Sequence, residues 1–285
     1  MPPDSWAALS AVLLALAVAA RGAAVRLTQT LWGVLAMGAR AAAAFALAVG
    51  LILSVASGDG GIALAAAFQP GGQPSGAFAL GPVLALATLI VHLLLTWRIG
   101  LDAAAPVVDL VSLALILSGL LSASHPEPLP ACRVSVPPLQ IQGTLFLLGG
   151  GGLIVAGSVG LTLALRAAWQ SIENRRASRV PAGTWSGRTE RQALLRMATL
   201  FGLVGLAAGL LVGLWWSWRL TGGLTSAGSE QLWAASAWLV AAMSFLAWRT
   251  GERGGRWAAG LAVVAAAIII VGLLGGMPLL QPSFE

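Results

Sequence analysis

Apolar residues along this chain fall into eight long runs, at 5–20, 41–57, 79–97, 106–122, 140–166, 195–216, 232–249 and 257–275. Arginine, proline, glycine and polar residues collect in the segments between them. A hydrocarbon layer about 30 Å thick is crossed by roughly 20 residues of helix rising about 1.5 Å each. The runs approach or exceed that length and show no strand-like alternation. They predict an all-α fold: a polytopic transmembrane bundle of about eight helices forming a single integral membrane domain over 1–285.

The first run is short. It has Asp4 and no basic residue ahead of it, whereas a signal peptide carries a positive leader. We therefore read it as a first spanning helix. Placing both termini outside then sorts the arginines. Arg21, Arg26, Arg40, Arg98, Arg166, Arg175, Arg176, Arg179, Arg188, Arg191, Arg196, Arg249, Arg253 and Arg256 fall on the cytoplasmic side, and only Arg133 and Arg219 fall outside. Flipping the chain or removing one span scatters this asymmetry, so the positive-inside rule supports both the count and the orientation. The location it predicts is the plasma (inner) membrane of a bacterium, with arginine-rich loops cytoplasmic.

Composition agrees. Only 9% of residues are charged and 58% are hydrophobic, against about 25% charged in a soluble globular chain. Lysine is absent, so all sixteen cations are arginine, with ten acids and a net charge of +6. No basic stripe with interleaved aromatics occurs in a polar segment, which argues against nucleic acid as a partner; cytoplasmic loops facing anionic membrane lipid account for the excess. The single cysteine, Cys132, excludes an intramolecular disulfide and a thiolate cage.

Three outside segments are sizeable: 58–78, rich in Gly, Pro, Ser and Gln; 123–139, with His125 and Cys132; and 217–231, which follows a tryptophan cluster. The long cytoplasmic segment 167–194 is polar and arginine-rich. Gly149-Gly-Gly-Gly152 lies inside the fifth run, where small residues let a neighbouring helix approach closely.

Tryptophan carries the strongest chemical signal, with twelve residues. Trp6, Trp97, Trp169, Trp248 and Trp257 sit at ends of runs and read as an interfacial aromatic belt. Trp215-Trp216-Ser217-Trp218 is denser than a belt needs, and Trp233 and Trp238 follow. Two readings compete on the residues alone: more belt, or a flat aromatic shelf for a planar ligand, since indole faces stack on planar rings.

The segments Gly213-Leu-Trp-Trp-Ser-Trp-Arg219, Trp233-Ala-Ala-Ser-Ala-Trp-Leu-Val240, Arg249 and Arg256-Trp-Ala-Ala-Gly-Leu-Ala262 resemble the C-terminal half of the cytochrome c assembly (system II-type cytochrome c biogenesis) membrane proteins, with their tryptophan-rich WWD signature. Pro106 and the stretch from Leu129-Pro to Pro137-Pro-Leu-Gln140 resemble family segments at corresponding points, so the likeness spans roughly 80–275 and is most specific over 213–262. The resemblance implies haem as cofactor. It also implies a haem-binding shelf of Trp215, Trp216, Trp218, Trp233 and Trp238, and a role in presenting haem at the external face. The partners implied are a second cytochrome c biogenesis membrane protein and an apocytochrome c. The chain departs from the family where the signature runs on into Asp-Pro, having Arg219 and Leu220 there, and has about eight extra residues, Thr221–Gly228. The places corresponding to family histidines, near Leu147, Ala247 and Pro278–Pro282, hold none. A haem-free structural or accessory subunit that kept the scaffold is the alternative this raises.

The two histidines are considered independently as surrogate axial ligands. His92 lies within the third run, where an ionisable group is a functional candidate by default; the bland reading is a neutral imidazole bonded to a neighbouring helix. His125 lies in an outside segment beside Pro126 and Glu127, as a solvated residue or an external ligand. Arg40 is expected to snorkel to the cytoplasmic face, and Asp109 to pair with Arg98 or lie in the interface. No nucleophile with a base, no paired carboxylates and no metal-ligand spacing occur, so an assembly factor is expected rather than an enzyme.

Overall fold

The computed structural model describes residues 3–24, 29–56, 80–99, 104–122, 137–176, 188–221, 229–248 and 252–274. These form eight helices: α1 (Pro3–Ala24), α2 (Gln29–Ala56), α3 (Leu80–Ile99), α4 (Ala105–Ser122), α5 (Pro137–Arg176), α6 (Arg188–Thr221), α7 (Ser229–Ala247) and α8 (Glu252–Leu274). No strand occurs among the described residues. The all-α bundle read from the apolar runs is the fold observed. Segments 57–79, 123–136, 177–187 and 222–228, with Cys132 and His125, lie outside the described residues.

Local sequence explains the helix starts. Pro106 and Pro137-Pro138 occupy first turns, where a missing N–H costs nothing and the fixed φ suits a helix. At α4 the carbonyl of Ala104 accepts from the N–H groups of Val107 and Val108, both at 3.1 Å, closing the first turn.

Two bounds differ from the sequence reading. α2 begins at Gln29, twelve residues before the apolar run, because Arg40 does not end it; the arginine is neutralised inside the bundle, as described below. α5 continues to Arg176 and α6 begins at Arg188, so much of the polar segment 167–194 is helical. Polar residues there break the apolar pattern without breaking the helix.

The helices run up and down, and two apolar layers record it. One unites Leu84 and Leu89 of α3, Leu115 of α4, Leu147 and Leu153 of α5, Leu206 of α6 and Ile269 of α8. The other unites Val91 of α3, Val108 of α4, Val155 and Val159 of α5, Leu195 of α6 and Ala259 of α8. Residue numbers rise from the first layer to the second in α3 and α5, and fall in α4, α6 and α8. The α1–α2 hairpin packs on α3 and α4, and α5 lies between α6 and α8.

The glycine run of α5 sits at the centre of this packing. A Cβ on Gly149 would lie 2.6 Å from the Leu206 amide nitrogen, one on Gly152 would lie 2.8 Å from that of Gly202, and one on Gly151 would lie 2.9 Å from that of Thr88. Glycine is required because α3 and α6 approach α5 backbone to backbone, as expected for small residues between helices in an apolar solvent.

The outer surface is apolar. Val12, Leu16, Phe45, Leu94, Leu110, Val204, Leu211, Leu239 and Val271 are exposed, while Arg40, Asp109, His92, Thr88, Ser112 and Thr199 are fully buried. A water-soluble fold would reverse this arrangement. Four helices contain stretches long and apolar enough to cross a membrane: Gly81–Arg98, Ile141–Ala168, Arg191–Arg219 and Gly254–Gly272. The apolar stretches of the others, Trp6–Ala19, Leu35–Gly50, Ala105–Gly119 and Gln231–Ala247, are shorter.

Candidate functional site: the tryptophan end of α6

The last two turns of α6 present Trp215, Trp216 and Trp218 on successive faces, since each residue turns about 100° around a helix of 3.6 residues per turn. Gly213 and Ser217 point the other way and are buried, Gly213 against the side chain of Gln142 on α5. Fixing that face toward α5 leaves Trp215 49% and Trp218 59% exposed. The rings of Trp215 and Trp216 meet at 6.2 Å between centroids with a 46° tilt, within the range of favourable aromatic pairs. The guanidinium of Arg219 lies 5.5 Å from the centroid of the Trp215 ring, a cation–π contact. The site thus combines exposed indole faces with an exposed cation one residue beyond them.

The other two tryptophans assigned to the shelf meet neighbouring helices. Trp238 is half-buried, and its indole N–H donates to the carbonyl of Leu203 on α6 at 3.2 Å. Leu203 is twelve residues before Trp215 on the same helix, about 18 Å along the axis. Trp233 packs on α8: a Cβ on Gly272 would lie 2.7 Å from its Cβ and ring. Both indoles contact neighbouring helices, and their 42% and half-buried exposures reflect that.

His92 is fully buried in α3, with Nε2 3.4 Å from Thr96 Oγ1 one turn along the same helix. The imidazole is thus partnered within its own helix rather than across to a neighbour in this contact. Its level follows from the packing. Thr88 and Gly202 both meet the glycine run of α5, so they share a level; His92 is one turn below it and Trp215 thirteen residues above it. The imidazole and the tryptophan cluster are therefore about 25 Å apart along the bundle. His125 lies outside the described residues.

The charge pair inside the bundle is the feature the sequence reading missed. Arg40 does not snorkel, and Asp109 does not pair with Arg98. Arg40 Nε lies 2.6 Å from Asp109 Oδ1, with both side chains at 0% exposure, and the second nitrogen Nη2 lies 3.0 Å from Oδ2. Either charge alone in an apolar interior is costly; joined through two charge-assisted bonds they neutralise each other. One sign was legible: Asp109 was the single charge in its apolar run, and Arg40, of opposite sign, stood at the edge of another.

Among the described residues no group of three or more His, Cys, Asp or Glu side chains could hold a metal ion. Comparison with protein-family models, with curated proteins and with solved structures gives no match.

Proposed function

We propose that the chain is an integral membrane protein of eight spans in the plasma (inner) membrane, with its arginine-rich ends cytoplasmic. We further propose that the tryptophan end of α6 handles haem at the external face, in the manner of the cytochrome c assembly proteins it resembles. The membrane reading rests on the apolar exterior and the buried charges. The shorter apolar stretches of α1, α2, α4 and α7 span as members of a bundle whose polar groups are satisfied internally.

One observation carries the haem reading: Trp215 and Trp218 are exposed beside Trp216, with the Arg219 guanidinium against them. Indole faces suit a porphyrin plane, and a cation at its edge suits propionate carboxylates. Arg219 replaces an acidic residue of the family signature, so recognition here rests on charge pairing at the ring's edge. The described residues supply no axial ligand beside the cluster. Bound haem would bring a redox-active iron, whose potential is set by its axial ligands; the work of this chain is to bind and orient the ring. Ligands for the iron would come from the partner proteins, a second biogenesis membrane protein and an apocytochrome c.

A second reading, a haem-free structural or accessory subunit, is favoured by the use of Trp233 and Trp238 in helix packing and by the distant His92. The absorption spectrum of protein purified from haem-supplied cells separates the two. Haem handling predicts a Soret band that disappears in W215A/W216A/W218A and weakens in R219Q, with H92Q unchanged. A folded, colourless protein leaves the accessory reading standing. Labelling Cys132 with a membrane-impermeant maleimide in intact cells tests the orientation; reaction only after permeabilisation would refute it.

A further inference from the structure

We infer that Gln142 of α5 is the positioning residue of the tryptophan site. Its side chain fills a slot at Gly213 of α6 and so fixes how the last two turns of α6, with Trp215, Trp216 and Trp218, seat on the bundle. The seating stands on the packing alone; its bearing on a ligand rests on the haem reading above.

A line of glycines on α6 faces α5. Gly202, Gly205, Gly209 and Gly213 recur at intervals of three and four residues, so they share one side of the helix. What meets them changes toward the tryptophan end. A Cβ on Gly205 would lie 2.7 Å from Gly149 Cα, backbone against backbone. One on Gly209 would lie 2.7 Å from Phe146 Cε1 and 3.4 Å from the carbonyl oxygen of Gln142. One on Gly213 would strike Gln142 Nε2 and lie 2.8 Å from Cδ and 3.1 Å from Oε1. Side chains of α5 thus fill the two slots nearest the tryptophans, and the Gln142 slot stands two residues before Trp215.

Gln142 is only 8% exposed. Its planar amide lies across the Gly213 position, since Nε2, Cδ and Oε1 all approach it. The contact is one of shape: the slot takes an unbranched side chain of this length and no Cβ opposite. Trp216 reports on the seating. It falls seven residues beyond Gly209, about two helical turns, and so on the α5 side of α6. It is half-buried there, while Trp215 and Trp218 are exposed. Forcing the helices apart at Gly213 lifts the end of α6 from α5, uncovers Trp216 and displaces the pair it forms with Trp215. A binding site keeps its geometry only while packing locks the residues that form it. Gln142 acts through Gly213, without touching the ligand.

The test is fluorine NMR of the full chain in lipid nanodiscs, labelled with a fluorinated tryptophan and assigned with W216F and W238F. Line broadening by a water-soluble gadolinium chelate reads the access of each indole. G213A should shift the Trp216 resonance and raise its broadening, with Trp238 unmoved. Q142A/G213A, in which the new methyl group takes the place of the amide, should return Trp216 toward its original access. G157A, whose Cβ meets that of Ala266 on α8 at 2.5 Å, strains the bundle elsewhere and should leave Trp216 unmoved. Q142A adds no atoms and serves if G213A fails to fold: it should shift the Trp216 resonance, whereas Q142M, which keeps the length without the amide, should not. An unmoved Trp216 in G213A or Q142A, or a G213A change that persists in the double variant, would overturn the proposal. Haemin titration followed at the Soret band reads the ligand separately. G213A should retain haemin on the order of tenfold less well, with recovery in Q142A/G213A. Unchanged retention in G213A despite a moved Trp216 would overturn the bearing of Gln142 on the ligand. A parent protein that binds no haemin would refute the haem reading and leave the fluorine spectra to judge the seating.

Discussion

Arg40 and Asp109, sixty-nine residues apart in sequence, join α2 to α4 through two bonds of 2.6 and 3.0 Å with neither side chain reaching the surface. Nearby, Ser10 of α1 donates to the carbonyl of Ala43 on α2 at 3.0 Å. These polar contacts lie within the part of the bundle formed by α1, α2, α3 and α4. In a solvent where apolar packing gives helices little reason to prefer one another over lipid, such bonds supply specificity.

Breaking one side of the pair should be far worse than removing both. D109N or D109L leaves the Arg40 guanidinium buried without a counter-charge, at a cost of about 3–5 kcal/mol. R40L/D109L removes the desolvated charges together and should recover most of that loss. Thermal unfolding followed by size-exclusion of the detergent-solubilised protein reads both. A double variant no better than D109L would mean that Arg40 is not the partner on which Asp109 depends.

The glycines of α5 predict a position-dependent effect. Gly149→Ala places a Cβ 2.6 Å from the Leu206 nitrogen and 2.9 Å from the Gly205 carbonyl carbon. Neither backbone atom can turn aside, so about 1–3 kcal/mol of destabilisation is expected. Gly260→Ala on α8 meets nothing within 4 Å, and relief of glycine's conformational entropy should make it neutral or stabilising by about 0.5–1 kcal/mol. The two melting temperatures should therefore move apart, and similar shifts would contradict the close approach of α5 and α6.

What the sequence made legible and what it hid follow from the solvent. Lipid demands long uninterrupted apolar runs, so eight helices could be read from hydropathy and the glycine run marked the tightest packing. A charge inside such a run looks like a boundary, which is why Arg40 hid the first twelve residues of α2. Its partner lies on a helix remote in sequence, and no local pattern announces a pairing across that separation. The tryptophans divide for a similar reason. Trp215, Trp216 and Trp218 are neighbours by spacing alone, whereas Trp233 and Trp238 are placed by the helices they meet, Gly272 on α8 and Leu203 on α6.

That division predicts different behaviour for the same residue type. Trp238 donates to the Leu203 carbonyl and is half-buried between α7 and α6. Replacing it by Phe leaves a smaller aromatic ring and removes the donor, so about 0.5–1.5 kcal/mol of stability should be lost with the hydrogen bond, with W215F and W218F close to neutral. Fluorescence should show the reverse ranking of access. In variants retaining Trp215 and Trp218 alone, an aqueous or interfacial quencher should act strongly, because 49% and 59% of these side chains are exposed. In a variant retaining Trp238 alone it should act weakly. Equal quenching would mean that the α6 end does not present a separate aromatic face, and the haem reading would lose the observation on which it stands.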